Sequence, residues 1–155
     1  MEYLEGNVDG YAKMIIERGP YIVYCTFTFE DVFVHIEQAK KSSDQLIKRI
    51  EERMNHGEKS KASIAYVKVT EFQKLGFKKS VICLHFLLKH NLLRKIPCSE
   101  IGKIWKSGAR KNGFAKVTKY KAKYKRDLEY YLAKHYLRGG EIEFSPAETW
   151  KNVSI

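Results

Sequence analysis

Long apolar runs, a cysteine framework and low-complexity linkers are all missing from this sequence. No stretch approaches the roughly 18 consecutive apolar residues of a membrane-spanning helix. Residues 1–10 are polar and acidic, unlike a secretory signal. The three cysteines, Cys25, Cys83 and Cys98, form no Cys-x-x-Cys pair, which argues against a zinc ribbon or a disulfide framework. We therefore expect a protein of a reducing compartment, the cytoplasm of a cell or host cell, without a membrane partner.

Three common enzyme motifs are absent as well. The sequence contains no Gly-x-x-x-x-Gly-Lys-Ser/Thr loop, no Gly-x-Ser-x-Gly elbow and no dinucleotide-binding glycine fingerprint. These absences argue against a P-loop ATPase, an α/β-hydrolase and a dinucleotide-dependent enzyme.

What the sequence has is positive charge concentrated in one block. The net charge of the 155 residues is +11, but residues 1–60 carry −3, residues 61–140 carry +16 and residues 141–155 carry −2. Such a block favours a polyanionic partner, most often nucleic acid. The alternative is a lysine-rich surface that only keeps the protein solvated.

The length and the hydrophobic patterns predict one α+β domain over residues 1–155, with no helicase domain. The composition, 44% apolar and 30% charged, is typical of a globular protein. Residues 11–18 form a short amphipathic segment. The strands and helices after it are predicted from runs of β formers, from helical periodicity and from capping residues. We expect strands at 21–29, 63–72, 80–88, 114–123 and around 142–144. We expect helices at 31–54 (capped by Asp31), from the cap Ser99 to near Gly108 or Gly113, and at 127–138. Short links imply antiparallel pairing, so about four or five strands form a central sheet with helices packed on it.

Cys83 and His85 are the first candidate site residues. Both lie on the strand predicted at 80–88, and because side chains alternate along a strand they point to the same face. A cysteine and a histidine at this spacing can share one metal ion. The alternative is that both simply pack in an apolar strand.

Tyr131 and Lys134 form a second pair, on the last predicted helix. A spacing of three residues places them on one helix face. A phenol has a pKa of about 10 and is a poor nucleophile near neutral pH, but a nearby cation favours the phenolate. The alternative is an amphipathic helix whose tyrosines lie between core and solvent.

A third group follows Trp105 and is basic. Lysines on alternating positions of the strand predicted at 114–123 would form a stripe, with Tyr120 and Tyr124 able to stack on unpaired bases. The alternative is a strand whose lysines only prevent aggregation. The candidate DNA-binding residues are Arg110, Lys111, Lys119, Lys121, Lys123, Lys125 and Arg126.

In order and spacing, these motifs resemble the HUH-type rolling-circle replication initiators (Rep endonucleases) of plasmids and viruses. That family has a strand with a Thr/Phe-rich end, a Glu followed by a His-hydrophobic-His strand, a Trp-containing helix before a Gly, and Tyr-x-x-Lys on a helix. The similar stretches here are Thr26–Glu30, Val69–Gly76, Cys83–Leu88, Ile104–Trp105, Asn112–Gly113 and Tyr131–Gly139. They cover roughly residues 21–140 and imply a ferredoxin-like arrangement of the sheet.

The resemblance implies an endonuclease and strand transferase that nicks and joins single-stranded DNA. Tyr131 would form a 5′-phosphotyrosine link, Lys134 would support it, and His85, Cys83 and Glu71 would hold a Mn²⁺ or Mg²⁺ ion. The implied partners are single-stranded or hairpin origin DNA, a host helicase or polymerase, and a second copy of the chain in a homodimer.

The sequence departs from this family at Cys83, which stands where the first histidine is expected. A thiolate is a soft ligand and suits Mn²⁺ or Mg²⁺ poorly. Either Cys83 is a tolerated ligand or the metal site is degenerate, so the alternative function is an HUH-like protein that binds DNA without cutting it. Tyr130 and Tyr124 are substitute nucleophiles if Tyr131 is buried. An RNA-binding α+β protein would explain the charge but not the Tyr-x-x-Lys pair.

Overall fold

A computed structural model describes most of the chain: residues 2–30, 34–56, 62–75, 79–108, 112–121, 127–135 and 139–153. These residues form helix α1 (Glu2–Arg18), strand β1 (Val23–Phe29), helix α2 (Ile36–Met54), strands β2 (Ala65–Leu75) and β3 (Lys79–Lys89), a 3-10 helix (Asn91–Lys95), helix α3 (Cys98–Lys106), strand β4 (Asn112–Lys119), helix α4 (Asp127–Lys134), strand β5 (Glu141–Phe144) and helix α5 (Ala147–Asn152).

The described strands make one antiparallel sheet in the order β4-β1-β3-β2-β5. Strand β3 lies between β1 and β2, so the β1-α2-β2 unit is split, as in the ferredoxin-like βαββαβ arrangement. The predicted α+β fold class is therefore confirmed. Helix α1 before this unit, and α4, β5 and α5 after it, are additions to the arrangement.

Alternation along β1 assigns the two faces of the sheet. Val23, Cys25 and Phe27 are fully buried, whereas the residues between them are only partly buried. The buried set belongs to the main core, which α2 and α3 cover. The partly buried set, Tyr24, Thr26 and Thr28, lies on the opposite face, which we call the site face.

The main core is centred on Trp105 of α3. Its indole is fully buried, lies 4.7 Å from the Phe27 ring between centroids, and donates a hydrogen bond to the Thr28 carbonyl at 3.1 Å. Helix α2 adds Leu46 and Ile50 from its apolar side. Helices α2 and α3 therefore close one face of the sheet completely enough to exclude water from an aromatic cluster.

The site face is covered over only part of its width. A second apolar cluster there joins Ile15 of α1 and Leu132 of α4 to Val67, Val69 and Leu87 of β2 and β3. No residue of β4 belongs to this cluster in the described part of the chain. The β2 and β3 side of this face is thus a helix-packed core, and the β1 and β4 side is more open.

Several predicted boundaries differ from the observed ones. Strand β4 runs over Asn112–Lys119 rather than 114–123. Helix α4 is described over Asp127–Lys134, and residues 136–138 of the predicted helix lie outside the described residues. Helix α3 begins at Cys98 after Pro97, so Ser99 is not its N-cap. Residues 11–18 are the end of a longer helix, α1. The predicted cap Asp31 lies outside the described residues.

Candidate active site

Strand pairing brings Glu71, Cys83 and His85 together on the site face. Glu71 of β2 is the direct cross-strand partner of Cys83 of β3, and His85 follows two residues later on the same face. One ligand atom from each of the three lies within 4.8 Å of the others. Because Glu71 stands opposite Cys83 in this register, its carboxylate lies beside the cysteine and the histidine. Together the three residues could hold a metal ion.

His85 is held at both of its ring nitrogens. Its Nε2 lies 2.8 Å from Oε2 of Glu71, and its Nδ1 lies 3.1 Å from the Tyr24 hydroxyl and 3.4 Å from Thr26 Oγ1. A carboxylate only accepts, so Nε2 donates to Glu71, and in the neutral ring Nδ1 then accepts from Tyr24. The ring is 4% exposed, which leaves its orientation set by these partners.

Cys83 is a buried thiol in this group. Burial, and then the negative charge of Glu71, raises the pKa of Cys83 to about 12. The side chain is therefore a neutral thiol at neutral pH, and a thiol binds metal ions much more weakly than a thiolate. Glu71 and His85 are the stronger ligands of the three for a hard divalent ion.

Helix α4 places Tyr131 against this group. The Tyr131 and His85 rings meet edge to face, with centroids 6.3 Å apart, and the tyrosine remains 48% exposed. Leu132, the next residue, is buried in the cluster that fixes α4 on the sheet. Lys134, one turn later, is exposed. Tyr131 thus lies between a buried histidine and the solvent.

The end of α4 is anchored on β2 by a close approach at Gly140. Its amide donates to the His135 carbonyl at 2.8 Å, and a Cβ at this position would lie 2.7 Å from the Thr70 carbonyl oxygen. Only glycine fits so close to both backbones. Because Thr70 precedes Glu71 in β2, this contact holds the end of α4 close to the three residues that could bind a metal ion.

His135 is a site residue that the sequence analysis missed. It is 1% exposed, its ring stacks on His85 at 5.2 Å between centroids, and it lies 4.9 Å from the Tyr131 ring. Its Nδ1 is 3.7 Å from Oε1 of Glu71, whose other oxygen contacts His85. The spacing of four residues from Tyr131 places both on one helix face and could have indicated the pairing.

The predicted DNA-binding residues are only partly described. Arg110, Lys111, Lys123, Lys125 and Arg126, like the substitute nucleophile Tyr124, lie outside the described residues. Lys121 is exposed just beyond β4.

Lys119 is exposed too, but its ammonium donates to the carbonyls of Leu93 and Ile96. It pairs with Val23 of the main-core face, whereas Lys116 pairs with Thr26 of the site face. The described lysines of β4 therefore do not form a single stripe.

Two aromatic residues near this basic group, Trp105 and Tyr120, pack against the buried apolar clusters. Trp105 is buried at the centre of the main core. Tyr120, which was predicted to stack on bases, donates its hydroxyl to Glu129 and packs edge to face against Tyr21. Neither ring is available to an unpaired base in this arrangement.

No helix in the described part of the chain is long and apolar enough to cross a membrane. Comparison with profiles of known protein families, with curated proteins and with solved structures finds no match to this chain.

Proposed function

We propose that this protein is a metal-dependent endonuclease that nicks and rejoins single-stranded or hairpin DNA through a tyrosine, as an HUH-type replication initiator does. One observation carries the proposal: the exposed Tyr131 of α4 lies against His85, which is bonded to Glu71. A nucleophile, an imidazole and a carboxylate thus converge at one place on the site face. The order of the motifs along the sequence is compatible with this geometry.

Tyr131 supplies the attacking atom. Its phenolic oxygen bonds to the phosphorus of a phosphodiester, the bond from phosphorus to the 3′ oxygen breaks, and that oxygen gains a proton as the tyrosine loses its own. The products are a 5′-phosphotyrosyl link and a free 3′ hydroxyl, which can prime synthesis. Because the link is itself a phosphodiester, attack by a returning 3′ hydroxyl rejoins the strand.

Glu71 and His85 would hold the divalent ion, Mn²⁺ or Mg²⁺, with Cys83 beside them. A bound ion at this place withdraws charge from the non-bridging oxygens of the phosphate. Tyr24 and Thr26 hold the other nitrogen of His85 and so orient the ring. Lys134 is exposed on the same helix as Tyr131, three residues on, and its charge favours both the phenolate and the bound phosphate.

The test is covalent trapping of DNA. The protein is incubated with Mn²⁺ and a randomised single-stranded oligonucleotide pool labelled at its 3′ end, alongside a pool of hairpins, and the products are separated on a denaturing gel. A 5′-phosphotyrosyl link keeps the 3′ label on the protein, whereas a 5′ label is released on a shorter strand. We expect a labelled protein band that forms with Mn²⁺ and is lost with a chelator.

Tyr130 offers a matched control for Tyr131. It is the preceding residue of α4 and is 40% exposed, close to the 48% of Tyr131. Tyr131→Phe should abolish the adduct, and Tyr130→Phe should leave it unchanged. An adduct that persists in Tyr131→Phe and disappears in Tyr130→Phe contradicts the assignment of the nucleophile.

The second candidate function is DNA binding without cleavage. It is favoured by Cys83, whose raised pKa leaves a neutral thiol at the position of an expected histidine. Cys83→His replaces the neutral thiol with an imidazole that can bind a divalent ion, so it should raise Mn²⁺-dependent adduct formation if the wild-type site is weak or degenerate. Salt-sensitive binding with no adduct in wild type, but an adduct in Cys83→His, would support this second function over the first.

A further inference from the structure

Phe114 is the most exposed large apolar side chain in the described part of the chain. It is 59% exposed, whereas Met14, Tyr130 and Tyr131 are 38%, 40% and 48% exposed. It lies on β4, at the edge of the sheet, and none of the buried apolar clusters includes it. Because the Phe114 ring does not pack in the core, the fold does not require an aromatic residue at this position.

The backbone around Phe114 is held firmly despite this exposure. The Phe114 amide donates to Thr28 Oγ1 at 2.9 Å. At the preceding Gly113, a Cβ would lie 2.9 Å from the backbone of Phe29, so glycine permits β4 to approach β1 closely where the pairing register shifts. The ring therefore projects from a rigid strand rather than from a loop.

Sheet register connects this ring to the candidate active site. Lys116 pairs with Thr26, and Thr26 pairs with His85, so these three residues form one row across the site face. Two strand spacings separate Lys116 from His85, a distance of about 10 Å. Phe114 follows two residues along the same face of β4, about 7 Å further along the strand. The two offsets place Phe114 about 12 Å from His85 along the diagonal of the site face.

We propose that Phe114 stacks on an unpaired base and that Lys116 contacts a phosphate of single-stranded DNA whose scissile phosphate is bound at Tyr131 and His85. This inference rests on the proposed function. It adds a base-stacking subsite on β4 that lies outside the predicted basic residues. Exposed aromatic rings beside a lysine are the usual platform for single strands, because every base offers a π face.

A second copy of the chain is the competing occupant of this edge. Lys116 and Lys119 are both exposed on β4, however, and two edges carrying these charges repel each other on strand pairing. The same charges attract a phosphate backbone. Charge complementarity therefore favours nucleic acid over self-association.

The first measurement uses the Tyr131→Phe protein, which binds DNA without covalent trapping. Its affinity for a fluorescent single-stranded oligothymidylate is measured by anisotropy over a salt series, with duplex DNA and oligouridylate compared in parallel. Adding Phe114→Leu, which keeps an apolar side chain but removes the π face, should weaken binding by about tenfold or more. Adding Phe114→Tyr should leave the affinity near its starting value, and adding Lys116→Ala should lower the salt slope by about one.

The second measurement reports stacking itself. A 2-aminopurine base placed at successive positions of the oligonucleotide should be quenched at one position by the Tyr131→Phe protein and not by its Phe114→Leu derivative. Equal binding and quenching in both proteins overturns the inference, and so does a change in oligomeric state, measured by light scattering, that follows Phe114→Leu. Equal affinity for oligouridylate overturns the choice of DNA over RNA.

The two proposals can fail separately. If wild-type protein forms the Tyr131 adduct but Phe114→Leu binds and cuts normally, only the stacking subsite is refuted. If stacking depends on Phe114 but no adduct forms with any metal ion, the stacking subsite stands and the proposed cleavage is refuted.

Discussion

Glu71 is the carboxylate of the candidate site, and it approaches both of the site's histidines. One carboxylate oxygen lies 2.8 Å from Nε2 of His85, and the other lies 3.7 Å from Nδ1 of His135. The side chain is 12% exposed, so its charge is shielded from most of the solvent. Charged groups in such surroundings interact strongly with what they contact. The carboxylate therefore couples His85 to His135, the two histidines that contact the Tyr131 ring.

The first prediction concerns removal of that charge. Glu71→Gln keeps the size of the side chain but loses the anionic ligand, so Mn²⁺ affinity should fall by roughly tenfold or more. Titration of free Mn²⁺ by electron paramagnetic resonance measures it. Glu141→Gln is the control, because Glu141 is exposed on β5. Equal Mn²⁺ affinity in Glu71→Gln and wild type would remove Glu71 from the metal site.

At the scale of elements, the two faces of the sheet have different roles. Helices α2 and α3 cover the main-core face, where Trp105 packs on Phe27 and Phe29. Helices α1 and α4 cover half of the site face, and the cluster beneath them holds Tyr131 above the strands. We therefore expect substitutions on the main-core face to change chiefly stability, and substitutions on the site face to change chiefly the proposed activity.

The second prediction tests the main-core face. Trp105→Ala should lower the free energy of unfolding by about 3–5 kcal/mol, because it removes a fully buried indole and its hydrogen bond to Thr28. Chemical denaturation followed by circular dichroism measures this loss. Lys106→Ala, at the exposed next position of α3, should change the free energy by no more than about 0.5 kcal/mol. A loss below about 1 kcal/mol for Trp105→Ala would mean that α3 is not docked as described.

At the scale of the whole molecule, buried phenols and thiols link stability to alkaline pH. Burial, and then the carboxylate of Glu143, raises the pKa of Tyr66 to about 12. Burial also raises the pKa values of Tyr21 and Cys25. In the unfolded chain a tyrosine ionises near its ordinary pKa of about 10. The stability contributed by Tyr66 is thus complete below about pH 10 and is lost as the pH rises toward 12.

The third prediction isolates Tyr66 from the other ionising groups. Tyr66→Phe cannot ionise, so its free energy of unfolding should fall less than that of wild type between about pH 9 and pH 11. Urea denaturation at both pH values measures the difference. The other buried tyrosines and cysteines are present in both proteins, so their contributions to the pH dependence of the free energy of unfolding cancel in this comparison. Parallel losses in the two proteins would show that Tyr66 ionises equally in the folded and unfolded chains.

The sequence by itself indicated most of the elements and which residues share a face within each, but not helix α5, the 3-10 helix or the first half of α1. Alternating β formers specified β1 and β3, and therefore that Cys83 and His85 share a face. Helical spacing specified that Tyr131 and Lys134 lie on one helix. These are local periodicities, because the direction of a side chain within an element depends on its own backbone. The ends of the elements were predicted less accurately, because a strand such as β4 ends where its pairing with β1 ends.

The tertiary structure decided which elements meet. The register of β2 against β3 brought Glu71 beside Cys83, and the packing of α4 on the site face brought Tyr131 and His135 to His85. It also placed Trp105 in the core and left Phe114 exposed. Local patterns cannot specify these outcomes, because burial energy depends on surface area and not on the identity of the covering element. Which helix covers a face follows only from the packing of the whole chain.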